Sequence, residues 1–152
     1  MKLFLRSKND GFEWVLVSVY DIAQEEYKTQ FVSELVRLCD NETLPMMVGG
    51  DFNIIQKPED KNNDNYDPRW PFMFNAIIQS LELKEIELYG RQYTWASRRT
   101  DPNFEKLDRV LATVEWEQKF PLVSVQALTR TGSDHTPWLI DSGVHAHAGN
   151  KA

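Results

Sequence analysis

The sequence has a single cysteine, Cys39, among its 152 residues, so an intrachain disulfide is excluded. Cys39 lies on the apolar face of a predicted helix, where a buried and unreactive thiol is expected. Three patterns that mark other functions are also absent: paired Cys and His ligands for zinc, a glycine-rich phosphate loop, and the serine motif of α/β hydrolases. Carboxylates, amides and histidines are therefore the groups to consider for chemistry.

Long apolar runs and an excess of positive charge are missing too. No apolar run approaches the roughly 20 residues that span a bilayer, and charged residues interrupt positions 1–6 too early for a secretion signal. The 17 Lys and Arg residues are outnumbered by 23 Asp and Glu residues, which gives a net charge of −6. Such a chain is a poor candidate for binding nucleic acid by bulk electrostatics, whereas clustered carboxylates can hold a divalent cation. The composition favours a metal-dependent site over a basic groove and indicates no membrane partner.

The hydrophobic pattern predicts strands and helices within one domain. Residues 12–20 are β-branched and aromatic, which predicts a buried strand, and residues 3–5 are its expected hairpin partner. Apolar residues at helical spacing predict two amphipathic helices, one over residues 25–39 and one whose first turn contains Pro71. The predicted class is α/β (α+β), with one or two sheets covered by helices. Shorter strands are predicted at 46–48, 85–88, 92–96, 107–112, 123–127 and 138–141, a capped helix at 113–120, and a polar loop at 56–67.

Residues 48–53, Val-Gly-Gly-Asp-Phe-Asn, follow a short apolar run and form the first polar cluster. Asp51 and Asn53 are two residues apart, so on an extended backbone both side chains point to the same side. This spacing predicts a carboxylate and an amide together at the end of a strand. Glycine, aspartate and asparagine are also common turn formers, so an ordinary turn is the alternative.

Two further polar clusters stand at the ends of predicted strands. Asp108 and Arg109 interrupt the apolar start of one strand, and Ser133, Asp134 and His135 precede the last one. Taken singly, these residues could be a surface ion pair, a turn and a core histidine. Together with the first cluster they fit metal-assisted phosphodiester hydrolysis. Carboxylates can bind Mg²⁺ or Mn²⁺ and accept a proton, an amide can hold a phosphoryl oxygen, and a histidine can stabilise an oxyanion.

Four segments carry a resemblance to a known family. In order they are Gly-Gly-Asp-Phe-Asn (49–53), Tyr-Thr-Trp (93–95), Lys-Leu-Asp-Arg-Val-Leu (106–111) and Ser-Asp-His-Thr-Pro (133–137). They resemble the successive motifs of the endonuclease/exonuclease/phosphatase superfamily, and most closely the apurinic-type endonuclease domain of plant LINE-like, non-LTR retrotransposons. The resemblance covers roughly residues 10 to 143. It implies a deoxyribonuclease-like two-sheet sandwich flanked by helices, a Mg²⁺ or Mn²⁺ cofactor, and DNA as the substrate.

The resemblance also implies catalytic roles at five positions. Asp51 is expected to activate or orient the attacking water and to bind the metal. Asn53 is expected to contact the scissile phosphate. Asp134 belongs to the metal and phosphate site, while His135 stabilises the developing charge and Asp108 orients that histidine.

Three more residues are expected on the substrate side. Tyr20 matches a phosphate-contacting tyrosine, and Thr94 and Trp95 match the rim that faces DNA. A core aromatic is an equal alternative for Trp95.

One part of the family pattern has no match. The metal-binding glutamate of the family lies upstream of the segment that matches residues 12–20, and no residue here corresponds to it. The expected organisation is therefore the C-terminal part of such a domain at residues 1–143, without its first strands, followed by a disordered tail at 144–152. An exposed sheet edge, an incomplete core and low stability are expected.

Three functions remain open at this point. The first is a metal-dependent DNA endonuclease, which would be nuclear if the retrotransposon-type function is retained. The second is a catalytically inactive relic, or a weak binder of nucleic acid or metal. The third keeps the fold with another phosphoester substrate, such as an inositol phosphate, sphingomyelin or poly(A), because fold does not fix substrate.

Overall fold

A five-stranded mixed sheet forms the centre of the fold in the computed structural model, which describes residues 1–20, 24–129, 132 and 134–143. In chain order the elements are β1 (Lys2–Arg6), β2 (Glu13–Tyr20), α1 (Lys28–Cys39), β3 (Met46–Asp51), α2 (Arg69–Ser80), β4 (Leu83–Ile86), β5 (Leu88–Tyr89), β6 (Trp95–Ala96), β7 (Phe104–Glu105), β8 (Asp108–Thr113), α3 (Val114–Lys119), β9 (Ser124–Ala127) and β10 (Trp138–Asp141).

The order of strands in the central sheet is β1-β2-β3-β8-β4. The hairpin of β1 and β2 is antiparallel, whereas β3 runs parallel to β2 because α1 carries the chain back across the sheet. The strand β8 then inserts between β3 and β4 and is antiparallel to both. A second sheet has the order β10-β9-β5, and β6 pairs with β7 in a short ribbon.

The two faces of the central sheet carry separate cores, because successive side chains of a strand point to opposite faces. On one face Val48 and Leu111 pack against Leu35 of α1 and Phe74 of α2. On the other face the core is shared with the second sheet and α3, and it contains Met47, Val110, Ala112, Trp116 and Val125. The architecture is therefore two sheets packed together, with α1 and α2 covering the other face of the central sheet, in agreement with the predicted class.

Most of the predicted elements are confirmed. The hairpin, both long helices, the polar loop and the strand at residues 138–141 are present, and Thr113 caps α3 by accepting a hydrogen bond from the Trp116 N–H at 3.4 Å. The strand β3 continues to Asp51, three residues beyond its predicted end, while the predicted strand at 92–96 is reduced to the two residues of β6. The predicted tail at 144–152 lies outside the described residues.

The buried thiol of Cys39 is also confirmed. Its side chain is 4% exposed, and burial raises its pKa to about 11, so the unreactive protonated form predominates at neutral pH. Within the described part of the chain, no helix has the length and apolar character needed to cross a bilayer.

Candidate active site

Two carboxylates face each other at the ends of neighbouring strands. The antiparallel register of β3 and β8 puts Asp51 opposite Asp108. Both side chains lie on the face that carries Met47 and Val110, because they alternate in step with those residues. They are only 7% and 8% exposed. The end of the sheet therefore brings together two buried groups of like charge, an arrangement that costs stability unless a proton, a counter-charge or hydrogen bonds offset the repulsion.

The chain turns sharply on both sides of Asp51. Gly50 has φ +139°, and a Cβ at this position would lie 2.0 Å from the Val19 carbonyl oxygen, so only glycine fits beside β2. Asn53 has φ +50°, a left-handed conformation. The expectation that Asp51 and Asn53 share one side of an extended strand is therefore wrong, because the strand ends at Asp51 and Asn53 is left-handed instead of extended.

The left-handed turn at Asn53 is held from two directions. Its N–H donates to Asp51 Oδ1 at 2.9 Å, which is an Asx turn. Its carbonyl oxygen accepts from Lys28 Nζ, at the start of α1, at 2.7 Å. The left-handed turn thus orients the Asp51 carboxylate through the N–H of Asn53, a contact that the extended pattern did not predict.

His135 completes the cluster from the segment that precedes β10. Its Nδ1 lies 2.9 Å from Asp108 Oδ2, and its Nε2 lies 3.5 Å from Asp51 Oδ2. An ionised carboxylate only accepts hydrogen bonds, so Nδ1 carries the proton toward Asp108. The backbone here is fixed by a bridge between Trp95 and His135 and by the Thr136 N–H, which donates to the Thr94 carbonyl at 2.7 Å.

The surroundings of Asp51 increase its proton affinity. Burial and the facing Asp108 carboxylate raise the pKa of Asp51 from its ordinary 3.8 to about 6, while the Asn53 N–H, His135 and Lys28 act in the opposite direction. A carboxylate in this range accepts a proton more readily than an exposed one. This is a property of a general base that works near neutral pH.

The cluster also fits a divalent cation. Asp51, Asp108 and His135 each offer one ligand atom, and the three atoms lie within 4.8 Å of one another. Carboxylate oxygens suit Mg²⁺ and Mn²⁺, and positive charge between Asp51 and Asp108 would relieve the repulsion that raises the Asp51 pKa. Asp134 lies outside this group of three, and its Oδ1 accepts from Arg98 Nε at 2.5 Å. Its role as a metal ligand stays a prediction.

The residues predicted on the substrate side have different positions. Tyr20 is 77% exposed and adjoins Asp51 in the parallel register of β2 and β3, so its phenol flanks the cluster. Trp95 is half-buried and borders a cavity of about 210 Å³ together with Tyr93 and Phe104. Thr94 is 1% exposed, so its side chain is unavailable to a substrate.

Thr94 acts on the backbone instead. Its Oγ1 accepts hydrogen bonds from the N–H groups of Leu107 and Asp108 at 2.9 and 3.1 Å. Its carbonyl receives the Thr136 N–H next to His135. One buried threonine therefore connects the backbones that carry the Asp108 and His135 side chains.

Replacing Thr94 by Val is expected to lower the free energy of unfolding by about 1–3 kcal/mol, because two buried N–H groups lose their acceptor. Thr94→Ser keeps the hydroxyl and is the matched control. Urea denaturation followed by tryptophan fluorescence measures both variants. A loss in Thr94→Ser as large as the loss in Thr94→Val would contradict the prediction, because serine keeps the acceptor oxygen and lacks only the methyl group.

Sequence reasoning missed two residues near the cluster and gave a third, Arg109, the wrong environment. Lys28 and Arg98 reach the site from the first turn of a helix and from a loop, and no motif marks either of them. Arg109 was offered as a partner of Asp108 in a surface pair, but it is 2% exposed and its salt bridges are with Asp60 and Glu85. The surface interpretation is wrong, because Arg109 points to the opposite face of β8 from Asp108.

The fold and the cluster define a two-sheet α/β protein with an acid–histidine site at the ends of its strands. The chain belongs to the Endonuclease/Exonuclease/phosphatase family, whose model matches residues 4–135. The family predicted from the four sequence motifs is thereby confirmed. None of the curated proteins is similar enough in sequence to count as a match.

Solved structures share the fold at low sequence identity. The endonuclease domain of TRAS1, a telomere-specific non-LTR retrotransposon, is 16% identical with a TM-score of 0.58, over 94% of this chain and 63% of that one. An AP endonuclease from Archaeoglobus fulgidus is 17% identical with a TM-score of 0.62, over 93% and 65%. The 3′ phosphatase NExo from Neisseria, bound to a product DNA hairpin, is 20% identical with a TM-score of 0.61, over 87% and 61%. The chain spans less than two thirds of the length of each of these structures, and they support the predicted two-sheet fold.

Proposed function

We propose that this chain is a phosphodiesterase of the DNA endonuclease type that works with Mg²⁺ or Mn²⁺. The observation that carries the proposal is the contact of His135 with both Asp108 and Asp51, at 2.9 and 3.5 Å, at one end of the central sheet. A paired carboxylate and histidine beside a second carboxylate suits the attack of water on a phosphodiester. The ordered sequence motifs support the same chemistry.

Each residue of the cluster has a defined task in this proposal. Asp51 orients the attacking water and accepts its proton. Asp108 accepts the Nδ1–H of His135, which keeps the Nε2 side of the ring directed at the reacting phosphate. With a proton on Nε2 as well, the ring donates a hydrogen bond there and stabilises the developing negative charge. Asn53, held in its left-handed turn, offers its side-chain amide to a phosphoryl oxygen. Tyr20 contacts a neighbouring phosphate from the exposed end of β2.

The cation would bind at the two facing carboxylates. Asp51 and Asp108 would hold it, with Asp134 as a further candidate, and it would supply neutralisation of charge at the phosphate. Mg²⁺ is the first choice because the donors are mainly oxygen atoms. Mn²⁺ accepts a histidine ligand more readily and is the second.

The structures that share this fold, together with the sequence motifs, favour DNA as the substrate. The TRAS1 domain is described as an endonuclease, and the NExo structure holds a DNA hairpin. The amino-acid sequences of the four motifs in this chain resemble the retrotransposon subgroup more than the enzymes that act on small phosphoesters. Phosphate contacts would come from individual side chains at the mouth of the site, because the net charge of −6 provides no general attraction.

Nicking of supercoiled plasmid in Mg²⁺ or Mn²⁺ tests the proposal. Wild type is expected to convert supercoiled to open-circular DNA and to stop in EDTA, and His135→Ala is expected to lower the rate at least about 100-fold. Asp67→Asn, which changes a partly exposed acid in the polar loop, is the control for mutagenesis itself. Absence of nicking at every metal concentration, with folded protein, would sink the proposal for this chain.

A second candidate function is binding of metal or nucleic acid without turnover. One observation favours it: within the described residues the cluster contains two carboxylates and one histidine, and Asp134 is engaged by Arg98 instead. A site short of one ligand loses transition-state stabilisation. Calorimetric titration with Mg²⁺ separates the candidates, because tight binding together with nicking supports the enzyme, and binding without nicking supports the second function.

A further inference from the structure

Arg109 is a fully buried cation directly after Asp108. Its guanidinium forms a salt bridge with Asp60, and its Nη1 lies 3.0 Å from Glu85 Oε1 and 3.2 Å from Gln56 Oε1. The side chain of Asp60 is only 3% exposed. The polar loop and the central sheet are thus joined by a buried ion pair on the face opposite to the active-site cluster.

The same pair holds the backbone that leads to the active site. Arg109 Nη2 donates to the Lys106 carbonyl oxygen at 3.1 Å. The Asp60 carbonyl oxygen accepts the Lys106 N–H at 2.7 Å. Its carboxylate Oδ2 accepts the N–H groups of Gln56 and Lys57 at 2.9 and 3.2 Å. Lys106 is therefore fixed through both of its backbone polar groups by the two members of the pair.

The segment from Phe104 to Asp108 is consequently held between two neighbouring segments, one around Asn62 and one around Thr94. On one side the Asn62 N–H donates to the Phe104 carbonyl at 3.2 Å. On the other side the Thr94 N–H donates to the Glu105 carbonyl at 3.0 Å, and the Thr94 hydroxyl holds the Asp108 N–H. The Arg109–Asp60 pair holds the polar loop in this arrangement, so it bears on the position of Asp108 without touching a substrate.

Stability alone does not account for this pair. A buried ion pair is commonly no better for stability than apolar groups of the same volume. Arg109 Nε in addition has no hydrogen-bond partner among the described residues, which adds a desolvation cost. A residue that is costly for the fold and adjacent to a site residue is better explained by the geometry that it imposes.

We propose that Arg109 and Asp60 are a positioning pair that fixes Asp108, and through Asp108 the imidazole of His135. The pair contacts neither substrate nor metal. Its effect on turnover rests on the proposed function, but its effect on the hydrogen bond from His135 Nδ1 to Asp108 does not. The two effects are therefore measured separately.

The first readout is the Nδ1–H resonance of His135 in metal-free ¹⁵N-labelled protein, assigned by its loss in His135→Ala. The variants are Arg109→Met, Asp60→Asn and the double variant, in which no buried charge of the pair is left alone. We expect the double variant to retain the melting temperature of wild type to within about 3 °C, the shift that about 1 kcal/mol produces in a domain of this size. Its His135 resonance is expected to be shifted or lost through exchange.

Two controls separate position from stability. Ile78→Val loosens the helix-side core away from the site, and its His135 resonance is expected to be unchanged. Arg109→Lys keeps one charge contact with Asp60 and is expected to restore part of the resonance. An unchanged resonance in the folded double variant would overturn the proposal. So would failure of the double variant to fold, because the pair would then act on the fold itself.

The second readout is plasmid nicking by the double variant. A misplaced Asp108 is expected to lower kcat about tenfold or more with little change in KM, because the substrate contacts are untouched. A nicking rate equal to wild type would count against the pair. If wild type itself does not nick, the proposed function fails, and the resonance of His135 alone decides whether Arg109 and Asp60 position Asp108.

Discussion

Gly50→Ala is expected to lower the free energy of unfolding by at least about 3 kcal/mol. Gly50 has φ +139°, a conformation that residues with a Cβ rarely adopt, and the added Cβ would lie 2.0 Å from the Val19 carbonyl oxygen. That oxygen belongs to the backbone of β2, so it cannot move away without breaking the parallel pairing of β2 and β3. Urea denaturation followed by the fluorescence of the five tryptophans measures the loss.

Gly49→Ala is the matched control for this prediction. Gly49 precedes Gly50 in the same strand, and its added Cβ would meet the Trp138 Cη2 atom at 3.4 Å, an ordinary van der Waals contact. A change within about 1 kcal/mol is expected, because an alanine side chain fits and an ordered glycine loses more conformational entropy. Equal losses in the two variants would contradict a steric role that is specific to Gly50.

Asp51→Asn is expected to abolish nicking and, at the same time, to make the protein more stable at pH 7. Activity should fall by roughly 10³-fold or more, because the amide cannot accept a proton from water. Stability should rise by on the order of 1–3 kcal/mol in EDTA, because the raised pKa of about 6 means that ionised Asp51 is disfavoured in the folded state. The amide oxygen still accepts the Asn53 N–H, so the turn is retained.

The sign of this effect gives a pH dependence. The folded protein binds a proton at Asp51 more tightly than the unfolded chain, whose pKa is near the ordinary 3.8. The contribution of Asp51 to stability is therefore full below about pH 4 and is lost as the pH rises through about 6. Urea midpoints of wild type and Asp51→Asn between pH 4 and 7 should diverge as the pH rises.

Asp67→Asn provides the control with the opposite sign. The Arg69 guanidinium lowers the pKa of Asp67. Removal of the Asp67 carboxylate should therefore reduce the stability of the protein at pH values above the ordinary carboxyl pKa. The reduction should be small, because solvent screens this ion pair. If the urea midpoints of wild type and Asp51→Asn run parallel across the whole pH range, the pKa of Asp51 is the same in the folded and unfolded states, and the prediction is wrong.

The sequence allowed the chemical groups of the site to be predicted better than their support. Asp51, Asp108 and His135 each stand at a strand end within a short motif, and strand ends of one sheet converge, so their meeting follows from local patterns. Asn53 departs from the pattern because its left-handed turn is stabilised by Lys28, which lies 25 residues earlier in the chain. Strand periodicity contains no information on such a contact.

The roles of Thr94 and Arg109 could not be predicted from the sequence for a similar reason. Thr94 stands in a motif that resembles a substrate rim, yet its hydroxyl bonds to backbone groups 13 and 14 residues away. Arg109 pairs with Asp60 across 49 residues, and an arginine beside an aspartate in a strand suggests a surface pair when read alone. Which buried charge is neutralised by which loop depends on tertiary packing, and a single sequence does not reveal it.

The pairing of Asp51 with Asp108 across β3 and β8 makes the site a check on strand register. A shift of β8 by one residue would turn Asp108 to the helix side and push the Arg109 guanidinium between the sheets. A chain folded in that way would lack the two facing carboxylates and, if the proposed function holds, would lose the site for the cation. Because a ligand that binds one fold selects it by mass action, the cation would favour correctly registered molecules over misfolded ones during folding, before any substrate is present.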